Sequence, residues 1–464
     1  MAKLVYLDVF SGIGGISLAI HDIVTTQLYC ELDPYCQSVL VDRMEDGSLD
    51  KAPIHSDITT LHLHPCNTVK MIGGGFPCQD ISSIGLQKGI KEGHRSSLFL
   101  EIMRLVDENP GIEHVFLENV GNICKCGLKE VVNECTKRGF NMQWTMRSAG
   151  QLGAPHLRTR WFCFASKSPL RKELVEGMTE EPLFDWPQGA QIIPRVIAKD
   201  SDAMDKVWAR RCQCLGNTVV PCVVRSAFKE LAEGNLRWES IHESLNGYGV
   251  PVEELKYPYP DSGVIIRGQF YSLPHKRLPP SLPHTLKTTL VYNNKTFNLP
   301  NLPTPRRGIV HASTLTERSM HDLPTILLNC EESGIRAADK GHVVNVNFIE
   351  WMMGYTKDWT KVRTKSMSGS KRSEVVEAGE DDVSEGLELS TDTQEASIEP
   401  SLVPTPKPKP VCEKKPFKYN GMHVFMKEHP SMDIRKVASL WKELNVEQKA
   451  VYSQRAHTEL NNKN

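Results

Sequence analysis

The first 235 residues alternate short apolar runs with amphipathic stretches, a pattern that predicts strands alternating with helices around a mainly parallel sheet. "KLVYLDVF" (Lys3 to Phe10) reads as a buried strand, the loop "SGIGG" follows, and "ISLAIHDIV" reads as a helix. "TQLYCEL", "TVKMIGGG" and "HVFLEN" are further strands, and "RWFCFAS" (Arg160 to Ser166) is one of the last. Residues 1–235 are therefore expected to form one α/β domain.

The pattern breaks up over 236–360. "KYPYPDSG", "KRLPPSLPHT" and "NLPTPRRG" punctuate extended pieces such as "SGVIIRGQFYSL" and "KTTLVYNN", the composition of a small strand-and-loop module. Ser373 to Pro400 holds ten Asp or Glu and no Lys or Arg, and "PTPKPKP" follows. Too little apolar surface is present there to offset chain entropy, so 361–412 reads as a flexible tether. From Lys407 onward the sign reverses, with twelve Lys or Arg against six Asp or Glu. Ile434, Val437, Trp441 and Leu444 fall on one helical face, and Asn445 stands three residues before Gln448 as in a capped helix start, so 413–464 reads as a small basic helical module. No internal repeat is found.

A chain of 464 residues with 40% hydrophobic content can bury at least one sizeable core, and its net charge of -1 selects no partner. No basic amino terminus leads into an apolar segment and no run of about 18 apolar residues occurs, so a soluble intracellular protein without a membrane span is expected. Thirteen scattered cysteines fit reduced thiols better than a disulfide framework. Cys124/Cys126 and Cys212/Cys214 are Cys-x-Cys pairs without a CxxC partner, and no metal site is assigned to them.

The chemistry concentrates in a few stretches. A strand that runs into "DVFSGIGG" places glycines where the backbone turns tightly and approaches a ligand, facing the next helix's amino terminus. The spacing departs from the dinucleotide G-x-G-x-x-G; a cofactor loop and a mere tight connection both remain open. Glu31 ends the second strand, where a carboxylate can accept from ribose hydroxyls, and Asp57 closes "APIHSD"; either also reads as a solvated loop acid. Cys78 in "IGGGFPCQDIS" is a candidate nucleophile or one more buried thiol.

In sequence order, "DVFSGIGG", "GGGFPCQDIS", "LENV" (Leu117 to Val120), "GAPHLRTRWF" (Gly153 to Phe162) and "LGNTVVP" (Leu215 to Pro221) resemble the signature segments of the cytosine carbon-5 DNA methyltransferases. The resemblance covers residues 1 to about 235. It implies a Rossmann-like methyltransferase domain that uses S-adenosyl-L-methionine and flips a cytosine out of double-stranded DNA. It also implies that Cys78 adds to carbon 6 of the base, since a thiolate is strongly nucleophilic and easily expelled. Glu118 is expected to assist at ring nitrogen 3, which requires a raised pKa, or else to cap a neighbouring amide. Arg158 and Arg160 alternate on an extended run, so both guanidiniums are expected on one face, orienting the base, contacting phosphate or forming a surface ion pair. His156 stands where the family commonly has glutamine. Phe10, Ser11, Gly12, Gly14, Gly15, Glu31, Asp57 and Asn217 are the expected cofactor-binding residues, with Asn217 alternatively a helix cap.

Only about fifty residues separate "RWFCFAS" from "LGNTVVP", too few for a large target-recognition region. "LPTPRRG" (Leu302 to Gly308) and "NVNFIEWMMGYTKDWT" (Asn345 to Thr360) look like the recognition-region and following segments of phage-type members. This implies a permuted layout in which 236–360 reads the DNA sequence, with Arg306 and Arg307 against DNA or in an ordinary basic loop. "KKPFKYNGMHVFMKEHP", together with "VASLWKEL" and "EQKAVYSQRA" beyond it, resembles an HMG-box or YABBY-like module, with Met422 and Phe425 as wedge or core, or else a plain interaction bundle. Two other classes stay open: a tRNA cytosine-5 methyltransferase, and a non-catalytic DNA-binding protein. A monomer is expected in catalysis, and the layout suggests a restriction-modification or viral protein acting in the nucleus or cytoplasm of a eukaryotic or infected cell.

Overall fold

Tyr6 and Leu7 on the first strand are both fully buried, yet they belong to different hydrophobic clusters, because successive side chains of a strand leave opposite faces. The same division runs across the sheet. Phe116, Phe162 and Phe164 join Tyr6 in one layer, and Val115, Leu117, Trp161 and Cys163 join Leu7 in the other. A sheet apolar on both faces must be covered on both, as the near-continuous apolar runs require.

The computed structural model describes residues 2–363 except 64–67, 78–97, 179–182, 185, 187–192, 200–205, 245–247, 257, 274–287, 293–294, 300, 307–320 and 335–340. Cys78, Arg307, most of the expected tether 361–412 and the whole module 413–464, with Ile434, Trp441, Met422 and Phe425, lie outside the described residues.

Strands β1 (Leu4–Val9), β2 (Val24–Cys30), β3 (Ile54–His55), β4 (Met71–Gly75), β5 (His114–Val120), β6 (Asn141–Ser148) and β7 (Thr159–Ser166) come from the first half of the chain. β8 is Val196–Ala198, β9 is Val250–Pro251, β10 is Gly263–Ile266 and β11 is Gln269–Tyr271. Among the described residues ten strands form one sheet in the order β3-β2-β1-β4-β5-β7-β6-β10-β11-β9. Pairing is parallel from β3 through β5 and antiparallel at β5/β7 and β7/β6. The strand order reverses between β1 and β4. That switch point, at the carboxyl ends of the parallel strands, is where open α/β sheets bind ligands.

Two expectations change. "ISLAIHDIV" is helical only over Gly15–Ile20, and Val24 already belongs to β2, because Val24, Thr25 and Thr26 are β-branched and pair with Leu4, Val5 and Tyr6. Residue 236 also marks no break in the sheet. β10 pairs with β6, and the buried Trp238 donates its indole N–H to Gln143 Oε1 at 2.9 Å. All the described residues fall in a single unit. "SGVIIRGQFYSL" is the β10–β11 hairpin, turning at Arg267 and Gly268, both with positive φ. Farther along, β12 (Thr288–Tyr292) and β13 (Lys295–Leu299) pair as a separate hairpin, and β14 (His342–Val344) pairs with β8.

Candidate active site

The described site residues gather along one edge of the sheet, at the carboxyl ends of β1, β2, β3, β4 and β5 and the start of β7. After β1 the backbone enters the left-handed region at Phe10 (φ 55°), Gly12 (φ 55°) and Gly14 (φ 81°). Ser11 fastens this turn by donating to Asp8 O at 2.7 Å, and the Gly14 N–H donates to Ser11 O at 2.9 Å. Glu31 closes it from β2: its Oε2 accepts from the Gly12 N–H at 2.7 Å and its Oε1 from the Asp33 N–H at 2.8 Å. Burial raises the Glu31 pKa against the opposing pull of those amides. Asp57 follows β3, where its Oδ1 accepts from the Thr59 N–H and hydroxyl at 2.9 and 2.8 Å, bonds that lower its pKa.

Below this loop lies a buried polar cluster that sequence inspection passed over. Asp8 is wholly buried on β1 and accepts from the Ser17 hydroxyl at 2.5 Å. Burial pushes its pKa up to about 7, with the Ser17 hydrogen bond opposing.

The second half of the site is built on β4, β5 and β7. A Cβ on Gly74 would sit 1.8 Å from Val9 O, so only glycine lets β4 approach the end of β1. Gly75 pairs with Glu118, and a Cβ there would meet Glu118 Oε2 at 2.6 Å. The Glu118 carboxyl thus lies against the strand end three residues before Cys78. Glu118 is buried, and Arg160 Nε reaches its Oε1 at 3.0 Å. Burial raises the Glu118 pKa, although the charges of Arg160 and Arg158 pull it down. Desolvation outweighs both guanidiniums, so the carboxyl holds its proton to higher pH than an ordinary glutamate.

Arg158 does not alternate with Arg160 as expected. It precedes β7 with φ 28°, because its loop is pinned by the Ala149 N–H to Leu157 O and the Leu302 N–H to Pro155 O, both at 2.7 Å. Its buried guanidinium donates to Pro305 O at 2.8 Å, to Gly216 O at 3.3 Å and to Thr218 O. Arg158 therefore ties "LPTP" and the Gly216–Thr218 turn to the start of β7. His156 is wholly buried beside Leu302, with Nε2 2.9 Å from Met352 O, and burial lowers its pKa to about 3. The ring is neutral, and its place is structural.

Asn217 is the exposed last residue of the helix Trp208–Asn217. It is not the cap of the next helix, Pro221–Asn235, which starts after Val220 without a side-chain cap. Arg306, next to Pro305, is exposed. Cys212 and Cys214 are buried on the helix that ends at Asn217, and Cys124 is buried after β5. Among the described residues no group of three or more His, Cys, Asp or Glu gathers as for a metal, and no helix is long and apolar enough to cross a membrane.

Residues 4–211 match the family model described as C-5 cytosine-specific DNA methylase. The chain is 27% identical over 375 residues to the type II methyltransferase M.CviJI of Paramecium bursaria Chlorella virus IL3A, covering 76% of this chain and 96% of the relative. It is 29% identical over 177 residues to M2.BsuMI of Bacillus subtilis, covering 36% of this chain and 43% of the relative. With M.HhaI of Haemophilus parahaemolyticus it shares 30% identity over 176 residues, 37% of this chain and 51% of the relative. The chain thus spans nearly all of the viral relative and about half of these two bacterial ones.

Over residues 4–211 the chain is similar to the cytosine-5 DNA methyltransferase family. The order of β1 to β7 is its Rossmann-like methyltransferase fold, and the class of enzyme follows: a cytosine-5 methyltransferase that depends on S-adenosylmethionine.

In this methyltransferase, the sequence groups 345–360 with the recognition-region and following segments of 236–360. Tyr355 and Trp359 from that segment stand against the glycine loop. The Trp359 indole N–H donates to Ile13 O at 3.1 Å, and the Tyr355 hydroxyl lies 2.7 Å from Thr218 Oγ1 and donates to Val219 O at 3.1 Å. The only sequence signal was the aromatic density of "IEWMMGYTKDWT", which does not say where the segment docks.

Proposed function

We propose that this chain methylates carbon 5 of cytosine in double-stranded DNA, with Cys78 as the attacking thiolate. The carrying observation is the buried Glu118 carboxyl, set against Gly75 and paired with Arg160 Nε at 3.0 Å. The base is first flipped from the stack, at a cost on the order of a few kcal/mol. The thiolate then forms a bond to carbon 6, and negative charge spreads over the ring. Glu118 relieves that charge by donating its proton toward nitrogen 3, a role that needs the raised pKa burial imposes. Arg160 holds the Glu118 carboxyl and faces the base, while Arg158 secures the surrounding loops. After transfer, loss of the carbon-5 proton to a base lets the thiolate leave as the carbon–sulfur bond breaks.

The glycine loop and Glu31 fit the cofactor. Among the described residues, a Cβ on Gly12 would meet nothing within 4 Å, which leaves room for a ligand beside the loop. Glu31 accepts one amide on each oxygen, which leaves acceptor capacity for ribose hydroxyls. Phe10 and Asn217, half-buried and exposed at the same edge, are suited to the adenine and methionine ends, and Asp57 borders the β3 side. S-adenosylmethionine, when bound, supplies an electrophilic methyl group.

Residues 236–360 would carry target recognition, with Arg306 toward the phosphates. Residues 413–464 would add an HMG-like grip on the minor groove. The viral relative supports a viral modification enzyme, which would act as a monomer in an infected cell.

Incubation with cofactor and duplex DNA containing 5-fluorocytosine tests the mechanism, because fluorine at carbon 5 blocks elimination. A denaturation-resistant complex is expected with the parent and none with Cys78→Ser. Absence of the complex from the parent refutes the covalent mechanism, and preferential methylation of tRNA refutes the substrate.

A further inference from the structure

The Tyr355 hydroxyl, Thr218 Oγ1 and Val219 crowd the helical end of the glycine loop. A Cβ placed on Gly15 would lie 2.3 Å from the Tyr355 hydroxyl, 2.7 Å from Val219 Cγ2 and 3.4 Å from Thr218 Oγ1. Trp359 holds the middle of the same loop through Ile13 O, and its ring packs against Tyr355 with centroids 5.3 Å apart. The segment then runs along the helix Pro34–Glu45, which follows Glu31. Tyr35 donates its hydroxyl proton to Thr360 O at 2.8 Å, the Arg43 guanidinium stands 5.5 Å from the Trp359 ring, and the Arg363 N–H donates to Asp42 Oδ2 at 2.7 Å.

This strap is rigid for an internal reason. The buried Glu350 accepts at Oε1 from the Thr360 N–H (2.8 Å), the Thr360 hydroxyl (2.5 Å) and Arg211 Nη2 (3.1 Å), and at Oε2 from the Asp358 N–H (2.7 Å). The turn that carries Tyr355 and Trp359 is therefore set by its own hydrogen bonds and by Arg211, a residue of the helix that ends at Asn217. Two buried N–H and O–H donors hold backbone carbonyls on both sides of the loop expected to receive the cofactor.

We infer that Tyr355 and Trp359 are positioning residues for the cofactor, latching the Ile13–Gly15 loop to the Thr218–Val219 turn in the shape that binds it. The inference rests on the reading of that loop as the S-adenosylmethionine site. Neither side chain touches the reacting atoms; each acts through a backbone carbonyl of the site. Preorganisation of this kind alters affinity by removing an ordering cost from the binding step. Because the strap and "LPTP" come from the same downstream region, an enzyme lacking residues 302–363 would lack part of its cofactor site as well as its recognition segment.

Equilibrium binding of S-adenosylmethionine to the full-length protein without DNA provides the test. Trp359→Phe and Tyr355→Phe keep the rings and remove the donors, and each is expected to weaken binding about three- to tenfold. KM for the cofactor should rise in step, with kcat and KM for DNA held. Trp208→Phe is the control: its buried indole N–H donates to Val344 O at 2.8 Å and not to a carbonyl of the loop or of the Thr218–Val219 turn, so it loses a comparable bond and should keep the parental affinity. Equal affinities for the parent and both variants overturn the latch, as does a loss no larger than that of the control. A parent that binds no S-adenosylmethionine overturns the cofactor reading itself, which separates the two failures.

Discussion

Two arginines of one short motif should fail in different ways when removed. Arg158→Ala deletes a buried guanidinium that donates to the carbonyls of Pro305, Gly216 and Thr218. Hydrogen bonds from a charged donor contribute about 1.5–3 kcal/mol each, and a buried acceptor left without a partner loses about 1–3 kcal/mol. Two of the carbonyls close the helix Trp208–Asn217, where a positive charge opposes the negative end of the helix dipole and adds about 0.3–1 kcal/mol. Partial rehydration of the opened loops recovers some of this, and a net loss of about 4 kcal/mol is expected, with Arg158→Lys in between because an ammonium cannot span the fork. Arg160→Ala should lose less than about 1.5 kcal/mol. Its ion-pair partner among the described residues, Glu118, already has a raised pKa and can neutralise by holding its proton, so little uncompensated charge is left buried. That variant should fold but methylate poorly. Urea unfolding followed by tryptophan fluorescence, with methyl transfer on the same samples, decides. Stability of Arg158→Ala within about 1 kcal/mol of the parent would show that the guanidinium is not the strut described.

The acid–base chemistry makes two further predictions. Asp8 has a folded pKa near 7, above its unfolded value, so its contribution to stability is complete below about pH 4 and is lost as pH rises through 7, by at most about 4 kcal/mol. Asp8→Asn should flatten the fall in melting temperature between about pH 5 and 9, and an unchanged slope would refute the assignment. Glu118 has a raised pKa, so its protonated form disappears as pH rises through the folded value, and single-turnover methylation by the parent should decline on the alkaline side. Glu118→Gln keeps a donor that does not titrate; its slower rate should lose that decline, and an identical profile would exclude Glu118 as the group at nitrogen 3.

Much of the parallel half of the fold was legible in the chain because its signals are local. Apolar runs closed by glycine marked β1, β4 and β5, and Glu31, Glu118 and Arg160 stand at strand ends where their short motifs put them. The pattern overextends the helix after the glycine loop because "ISLAIHDIV" stays apolar straight into β2, and periodicity does not mark where a helix hands over to a strand.

The amino-acid sequence alone determined the alternation of strands and helices and the glycine turn, and it nominated the side chains proposed to carry chemistry, since these depend on neighbours within a few residues. Tertiary structure alone decided that Arg158 is a strut, that His156 is buried and neutral, and that residues 345–363 dock on the glycine loop. Those outcomes depend on contacts such as Trp359 with Ile13, 346 residues apart, and Arg158 with Pro305, 147 apart. Local propensity carries no information about such pairs. They form because docking the strap buries its aromatics against the core and satisfies donors and carbonyls that would otherwise be buried without partners.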